Sequence, residues 1–467
     1  MTFMHKIRTF FSLVKKAVKG TETEFTTGSI DKAILMLSVP MVLEMAMESL
    51  FAVVDVFFVS KVGKNAVATV GLTESVLTII YSLAMGLSMA ATAMIARRIG
   101  EKDEKSASAA ALQAIYIALG LSAIVSITGV IFAEDILRLM GASPAIIEEG
   151  HLYTRIMFGG NFSITLLFLI NGIFRGAGDA SLAMRSLWIA NIANIMLGPI
   201  LIFGLGPIPA FGVTGAAIAT TIGRSIGVCY QVYHLFKGKG IIKMHLDNIA
   251  IRFDIVSRLL KVAAGGAGQF LIASASWIFL VRIISMFGSE ALAGYTIAIR
   301  VVIFAIMPAW GMANAAATLV GQNLGAGFPD RAERSVWRTA FFNMLFLGSL
   351  GILFLFTAER VISLFTHDPG IIMYGKQCLQ YVCLGYIFYA YGMVISSSFN
   401  GAGDTKTPTI LNLFGFWAIQ IPIAYLMAVH LNMGPKGVFI AIAVAESLLA
   451  TAAILVFRRG NWKTVKI

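Results

Sequence analysis

The sequence predicts an all-α integral membrane protein with twelve transmembrane helices in two pseudo-symmetric six-helix bundles. Three observations carry that expectation. The 467 residues are 58% hydrophobic and only 13% charged, about half the charged fraction of a soluble domain. Apolar stretches long enough to cross a hydrocarbon core, about 20 residues each, recur along the whole length, while Lys and Arg gather between them. Finally, the run FRGAGD ending at Asp179 returns as FNGAGD ending at Asp404, an offset of 225 residues (404 less 179).

The apolar stretches place spans at 33–60, 67–95, 107–132, 148–173, 181–204, 212–236, 258–286, 292–321, 334–356, 371–398, 408–430 and 436–457. The offset of 225 also pairs Gly63 with Gly288, Gly100 with Gly325, Pro144 with Pro369, and Gly212-Val213 with Gly437-Val438. Chance similarity between apolar helices would not hold one register across loops. Six spans per half is an even number, so the halves share one orientation, as parallel repeats do. The chain divides into an N-terminal segment (1–30), an N-lobe (31–236), a linker (237–257), a C-lobe (258–457) and a tail (458–467).

Basic connections, such as Arg97/Arg98/Lys102/Lys105, Arg175/Arg185 and Arg331/Arg334/Arg338, alternate with acidic or nearly uncharged ones. The positive-inside rule puts both termini in the cytoplasm of an inner-membrane protein. The net charge of +12 is then a topology signal, and no nucleic-acid partner is expected. In the N-terminal segment Phe3, Ile7, Phe10, Val14 and Val18 recur at helical spacing among Lys6, Arg8, Lys15, Lys16 and Lys19. That pattern reads as a basic amphipathic helix on the membrane surface, not a cleavable signal. Cys229, Cys378 and Cys383 sit in apolar segments without metal-ligand spacing and read as packing residues. No HExxH, GxSxG or His/Cys cluster is present, so an enzyme is not expected. In both GAGD runs the glycines turn the chain, and Asp179 and Asp404 are expected to cap the following helices.

Ionisable residues inside a membrane are expensive and are functional candidates by default. The first span carries Glu44, Glu48 and Asp55 at intervals of four and seven, hence on one helix face. The positions 225 residues later are Gln269, Ala273 and Leu280, so the acidic stripe belongs to one half only. Arg224, halfway along the sixth span, calls for a counter-ion, either Glu48 or Glu44. Glu446 in the last span has no evident partner. Two similar bundles on one linker suit alternating access around an interfacial cavity, which makes transport the leading reading over a receptor or scaffold.

Four stretches carry a family resemblance: PMVLEMAMESLFAVVDVFFVSKVG (Pro40–Gly63), GLSMAATAMIARRIGEKD (Gly86–Asp103), GIFRGAGD (Gly172–Asp179) and NIMLGPILIFGLGP (Asn194–Pro207). Together they make the chain similar to multidrug and toxic compound extrusion (MATE) transporters over residues 30–460. The resemblance implies two lobes in a V and export of amphipathic, often cationic compounds. It implies no cofactor, with H⁺ or Na⁺ flowing inward as the coupling ion. A monomer in the lipid bilayer with small-molecule substrates is expected. The alternative is a flippase of lipid-linked saccharides or other polar lipids, from the same broad superfamily; acidic charges on the cavity side of the N-lobe favour cationic cargo instead.

Two branches of that family differ in where the ion is handled. The NorM-like acids of the seventh and tenth spans align with Ala273 and Tyr389, so that site is missing. The resemblance is closer to the DinF-like branch, in which Asp55 matches the first-span acid, Asn194 the fifth-span asparagine and Tyr153 the fourth-span tyrosine. Gly198 stands where that branch has a second acid. Asp55 with Asn194 and a hydroxyl such as Thr214 could ligate Na⁺, a hard cation preferring oxygen; the carboxylate alone could carry a proton. No other metal is implied. Because the second and eighth spans face each other in the family, Glu74 and Arg300 are expected to pair when the outer mouth closes. Substrate-cavity candidates are Trp277, Trp310, Met47 and Gln269, since aromatic and thioether faces suit bulky cations.

Overall fold

A computed structural model describes residues 3–20, 25–237, 240–244 and 250–467. The first half holds α1 (Phe3–Lys19), α2 (Ile30–Val62), α3 (Lys64–Gly100), α4 (Glu104–Ile131), α5 (Ala133–Leu139), α6 (Pro144–Gly159), α7 (Asn161–Ala177), α8 (Ala180–Phe203) and α9 (Val213–Lys237). The second holds α10 (Phe253–Ser285), α11 (Ser289–Gly325), α12 (Pro329–Ser363), α13 (Pro369–Leu384), α14 (Tyr386–Ala402), α15 (Lys406–His430) and α16 (Pro435–Arg458). Eight of these are long and apolar enough to cross a membrane, and two bent pairs add one span each. With α2 and α9, helices of 33 and 25 residues that carry the Glu48 and Arg224 charges, the total among the described residues is twelve. The helices start where the chemistry of the first turn allows. Pro144, Pro329, Pro369 and Pro435 open helices, because a first-turn residue has no helical acceptor for an N–H. Asp103 and Asp368 accept from first-turn amides of α4 and α13.

The fourth and tenth spans are not single helices. The pair α6/α7 bends by 41° at Gly160, and α13/α14 by 58° at Gly385. These two glycines are themselves 225 apart. A Cβ on Gly160 would lie 2.7 Å from the Thr221 methyl of α9, and one on Gly385 3.3 Å from the Ala443 backbone of α16. The missing side chain lets the elbow lean on its neighbour. Gly178 and Gly403 end α7 and α14 in the left-handed region, at φ 90° and 89°. Asp404 then caps α15, accepting from the Thr407 amide at 3.1 Å. Asp179 departs from expectation: it makes no capping bond to α8 and accepts instead from the Ile241 amide of the linker. Burial pushes its carboxyl above the ordinary range, an effect that Arg185 and that amide oppose.

Each lobe has its own core, Leu169, Ile170 and Phe174 in one and Tyr295, Tyr386 and Phe439 in the other. Large apolar side chains such as Ile124, Ile278 and Phe356 are exposed on the outer faces, as a lipid-facing surface requires. Cys378 and Cys383 are buried, whereas Cys229 is exposed on the outer face of α9.

The lobes touch at glycines placed by the repeat. Gly86 of α3 packs on Ala263 and Ala267 of α10, and its counterpart Gly311 of α11 packs on Met41 and Val42 of α2. Gly100 meets Gln322 while Gly325 meets Arg97. All these contacts lie toward one end, where the arginines gather. There Arg97 and Arg98 donate to the carbonyls of Val465 and Ile467 in the tail. Arg331 donates to Phe25, Thr27 and Gly28, and Ser108 to Lys243 of the linker. The tail, the linker and α1, which buries Ala17 against α2, share this basic end. Side chains of Phe3, Lys6, Ile7 and Phe10 lie outside the described residues.

Candidate functional site

The first-span acids occupy two ion pairs inside the N-lobe. Arg224 of α9 grips Glu48 of α2 through both nitrogens, Nη2 to Oε1 at 2.7 Å and Nη1 to Oε2 at 3.2 Å. Asn191 of α8 donates to the same carboxylate at 2.9 Å. Phe51 and Phe168 cover the guanidinium, with ring centroids 4.9 and 5.6 Å away. A desolvated charge survives here because the carboxylate accepts three hydrogen bonds and meets a bidentate counter-ion.

Glu44 turns to a cation read above as part of a basic connection. Arg175 lies inside the last turn of α7, because that helix continues to Ala177, and its Nη1 donates to Glu44 Oε1 at 2.9 Å. Asn171 donates to the same oxygen at 3.0 Å, and Ser186 and Gln231 both donate to Asn171. Of the two alternatives for Arg224, Glu48 is therefore the partner. The C-lobe keeps the geometry without the charge: Gln269 and Asn400, which stand 225 after Glu44 and Arg175, exchange amide hydrogen bonds of 2.9 and 3.2 Å.

Asp55 lies further along α2, half-buried, with no hydrogen bond or ion pair among the described residues. Arg224 and Glu74 are its electrostatic neighbours. Tyr153 of α6 is buried within reach of Asp55 and Glu74, and Tyr81 of α3 within reach of Asp55, Glu74, Glu48 and Arg224. Tyr81 had no sequence signal beyond its place on a span. Asn194 donates to Thr220 at 2.8 Å; Thr214, two turns nearer the start of α9, is half-buried and makes no hydrogen bond to it. The hydroxyl partner is thus Thr220, since Asn194 sits deeper in α8 than the loop end from which Thr214 rises. A Cβ on Gly198 would lie 4.0 Å from Asn194 Oδ1 and 3.7 Å from Phe58, in ordinary van der Waals contact, so that position faces the asparagine without a clash. Among the described residues no group of three His, Cys, Asp or Glu could hold a metal ion.

Between the lobes lies a cavity of about 250 Å³. Its walls come from α2, α3 and α7 on one side and from α10, α11, α14, α15 and α16 on the other. Met45, Met85, Met89, Phe270, Trp310 and Tyr389 supply soft or aromatic faces. Of the four cavity candidates, Trp310 and Gln269 line it. Met47 is buried on the face of α2 opposite the lining residue Met45, and Trp277, on the same face of α10 as Phe270 and Ala273 but a turn further along, packs against the C-lobe core. Among the described residues the charged lining residues are Arg175 and Glu446, not Glu44 and Glu48, whose carboxylates are turned inward to their arginines. That overturns the expected acidic N-lobe wall and gives Glu446 a place. Glu74 and Arg300 are exposed and within electrostatic reach of each other, but no contact ion pair joins them in this conformation. They stand about 16–18 Å from Gly86 and Gly311 toward the other end, at 1.5 Å per residue.

The MatE family model matches this chain twice, over residues 40–200 and 267–426, one match in each half. The chain is 27% identical to a "Probable multidrug resistance protein NorM" of Thermotoga maritima over 439 residues, 93% of either chain. It is 26% identical to an "FAD transporter" of Shewanella oneidensis over 438 residues, 93% of this chain and 95% of that one. A solved structure described as the "Outward-facing conformation of a multidrug resistance MATE family transporter of the MOP superfamily" superposes with a TM-score of 0.89 at 29% identity, covering 95% of this chain and 99% of that one. These matches do not divide the chain between the branches of the family. The chain belongs to the MatE family, that of multidrug and toxic compound extrusion transporters, and is a multi-pass plasma-membrane transporter and not an enzyme.

Proposed function

We propose that the chain is a secondary active efflux antiporter, exporting amphipathic, cationic compounds in exchange for H⁺ or Na⁺. The observation that carries this is the cavity between two repeat-related lobes, closed at the basic end by glycine contacts and walled by thioethers and aromatic rings from both sides. Such faces bind bulky apolar cations without demanding one shape. Relatives described as multidrug proteins support the substrate class; a lipid flippase is the less favoured reading.

The positive-inside rule puts the basic end, with both termini, in the cytoplasm. The conformation is then open outward, and the lobes 31–236 and 258–457 are the units that rock about the linker 237–257, in a monomer. Closure of the outer mouth would bring Glu74 to Arg300. Ion coupling belongs to the N-lobe. Asp55, with Tyr153, Asn194 and Thr220 nearby, loads the ion, and the Glu48–Arg224 pair exchanges partners in response; Glu44 holds Arg175 and the α7 elbow. The reading is tested by export of a cationic dye from proteoliposomes under H⁺ and Na⁺ gradients imposed one at a time. Export driven by one of them is expected, and a dye flux indifferent to both contradicts antiport.

A further inference from the structure

Glu446 projects from the middle of α16 into the inter-lobe cavity and makes no hydrogen bond or ion pair among the described residues. The other charged lining residue, Arg175, is already neutralised by Glu44 at 2.9 Å, and Arg224 by Glu48 at 2.7 Å. Among the described residues the cavity therefore carries one uncompensated carboxylate. A charge held at membrane depth without a partner is costly, and a cation entering the cavity relieves that cost. The neighbouring surfaces select the kind of cation. Phe270 and Trp310 meet edge to face with centroids 6.5 Å apart, Tyr389 lies within electrostatic reach of the carboxylate, and Met45, Met85 and Met89 complete the wall. Hard metal ions want six or more oxygens at short range. Aromatic and thioether faces instead suit a diffuse organic cation.

We propose that Glu446 is the anchoring carboxylate for the charged nitrogen or phosphorus of an amphipathic organic cation, which places the substrate's head against the C-lobe while the coupling ion is handled in the N-lobe. The assignment rests on the efflux reading above and goes beyond it by naming the residue that selects charge. Only one lobe carries it: the position 225 earlier is Thr221, whose hydroxyl is buried.

The test is equilibrium binding to the full chain in lipid nanodiscs. The permanent cation is tetraphenylphosphonium, and the neutral amphiphile is N-phenyl-1-naphthylamine. Glu446→Gln is expected to weaken cation binding by about tenfold or more while leaving the neutral probe within about twofold. Glu446→Asp should retain part of the cation affinity, and the neutral probe reports that the variants are folded. Equal weakening of both probes, or no change in either, overturns the assignment. Wild-type protein that binds the neutral probe alone also overturns it and leaves the efflux reading standing; wild-type protein that binds neither overturns both.

Discussion

Glu44 and Arg175 meet at 2.9 Å on the two positions whose repeat counterparts, Gln269 and Asn400, form a reciprocal amide pair. One geometry thus joins the first helix of each lobe to the end of its fourth span, charged in one and neutral in the other. If the N-lobe pair is chiefly a clamp on the α7 elbow, the C-lobe chemistry should replace it. Glu44→Gln or Arg175→Asn alone strands a buried charge and should destabilise the fold by about 3–5 kcal/mol. The double variant should recover to within about 1 kcal/mol of wild type. Thermal unfolding in nanodiscs gives the comparison, and a double variant no better than either single one rules out the clamp.

If the lobes rock as proposed, the contacts at Gly86 and Gly311 should set the balance between the two open states. A Cβ on Gly86 would approach the Ala267 amide to 2.5 Å, so Gly86→Val must push the lobes apart at the basic end. Overpacking of this kind is worth about 1–3 kcal/mol, a shift in the conformational ratio of roughly tenfold. Ser397 lines the cavity. A cysteine there, with Cys229, Cys378 and Cys383 replaced, should react correspondingly faster with an impermeant thiol reagent applied from the basic side. An unchanged rate would show that the contact does not control closure.

Glu74 and Arg300 are exposed and lie within electrostatic reach without a contact ion pair here, so their proposed direct pairing belongs to the opposite state. Glu74→Arg and Arg300→Glu should each slow dye export, and the double reversal should regain about two- to fivefold of the lost rate, as a coupling of up to about 1 kcal/mol between exposed charges allows. Additive losses would sink the gate.

A Cβ on the buried Gly198 would make ordinary van der Waals contact with Asn194 and Phe58, with no clash. Gly198→Asp is therefore expected to fold, with a change in midpoint of unfolding of only a few degrees, about 1 kcal/mol, and to change the dependence of export on Na⁺ or pH. A variant that folds and exports with unaltered ion dependence places position 198 outside the coupling site.

Much of this was legible in the sequence because the repeat has one register without gaps. The offset of 225 located the turn glycines, and spacing along one span placed Glu44 and Glu48 on a common face. Yet the same offset joins Gly160 to Gly385 without revealing either elbow, since a hydrophobic run does not record a bend. Arg175 passed for a loop cation, because its fate depends on how far α7 continues, and helix ends are weakly marked when the cap is a glycine two residues beyond. Thr220 in place of Thr214, and Glu446 in the cavity wall, needed the rotation of α9 and α16 about their own axes. Rotation is set by packing between helices, and no single span encodes it.

The central claim, that coupling is handled in the N-lobe through Asp55, is tested most directly by imposing H⁺ and Na⁺ gradients separately on proteoliposomes containing wild type or Asp55→Asn. The variant is expected to bind the dye with wild-type affinity and to lose gradient-driven export under the ion that drives wild type. Undiminished coupled export by Asp55→Asn would contradict the account.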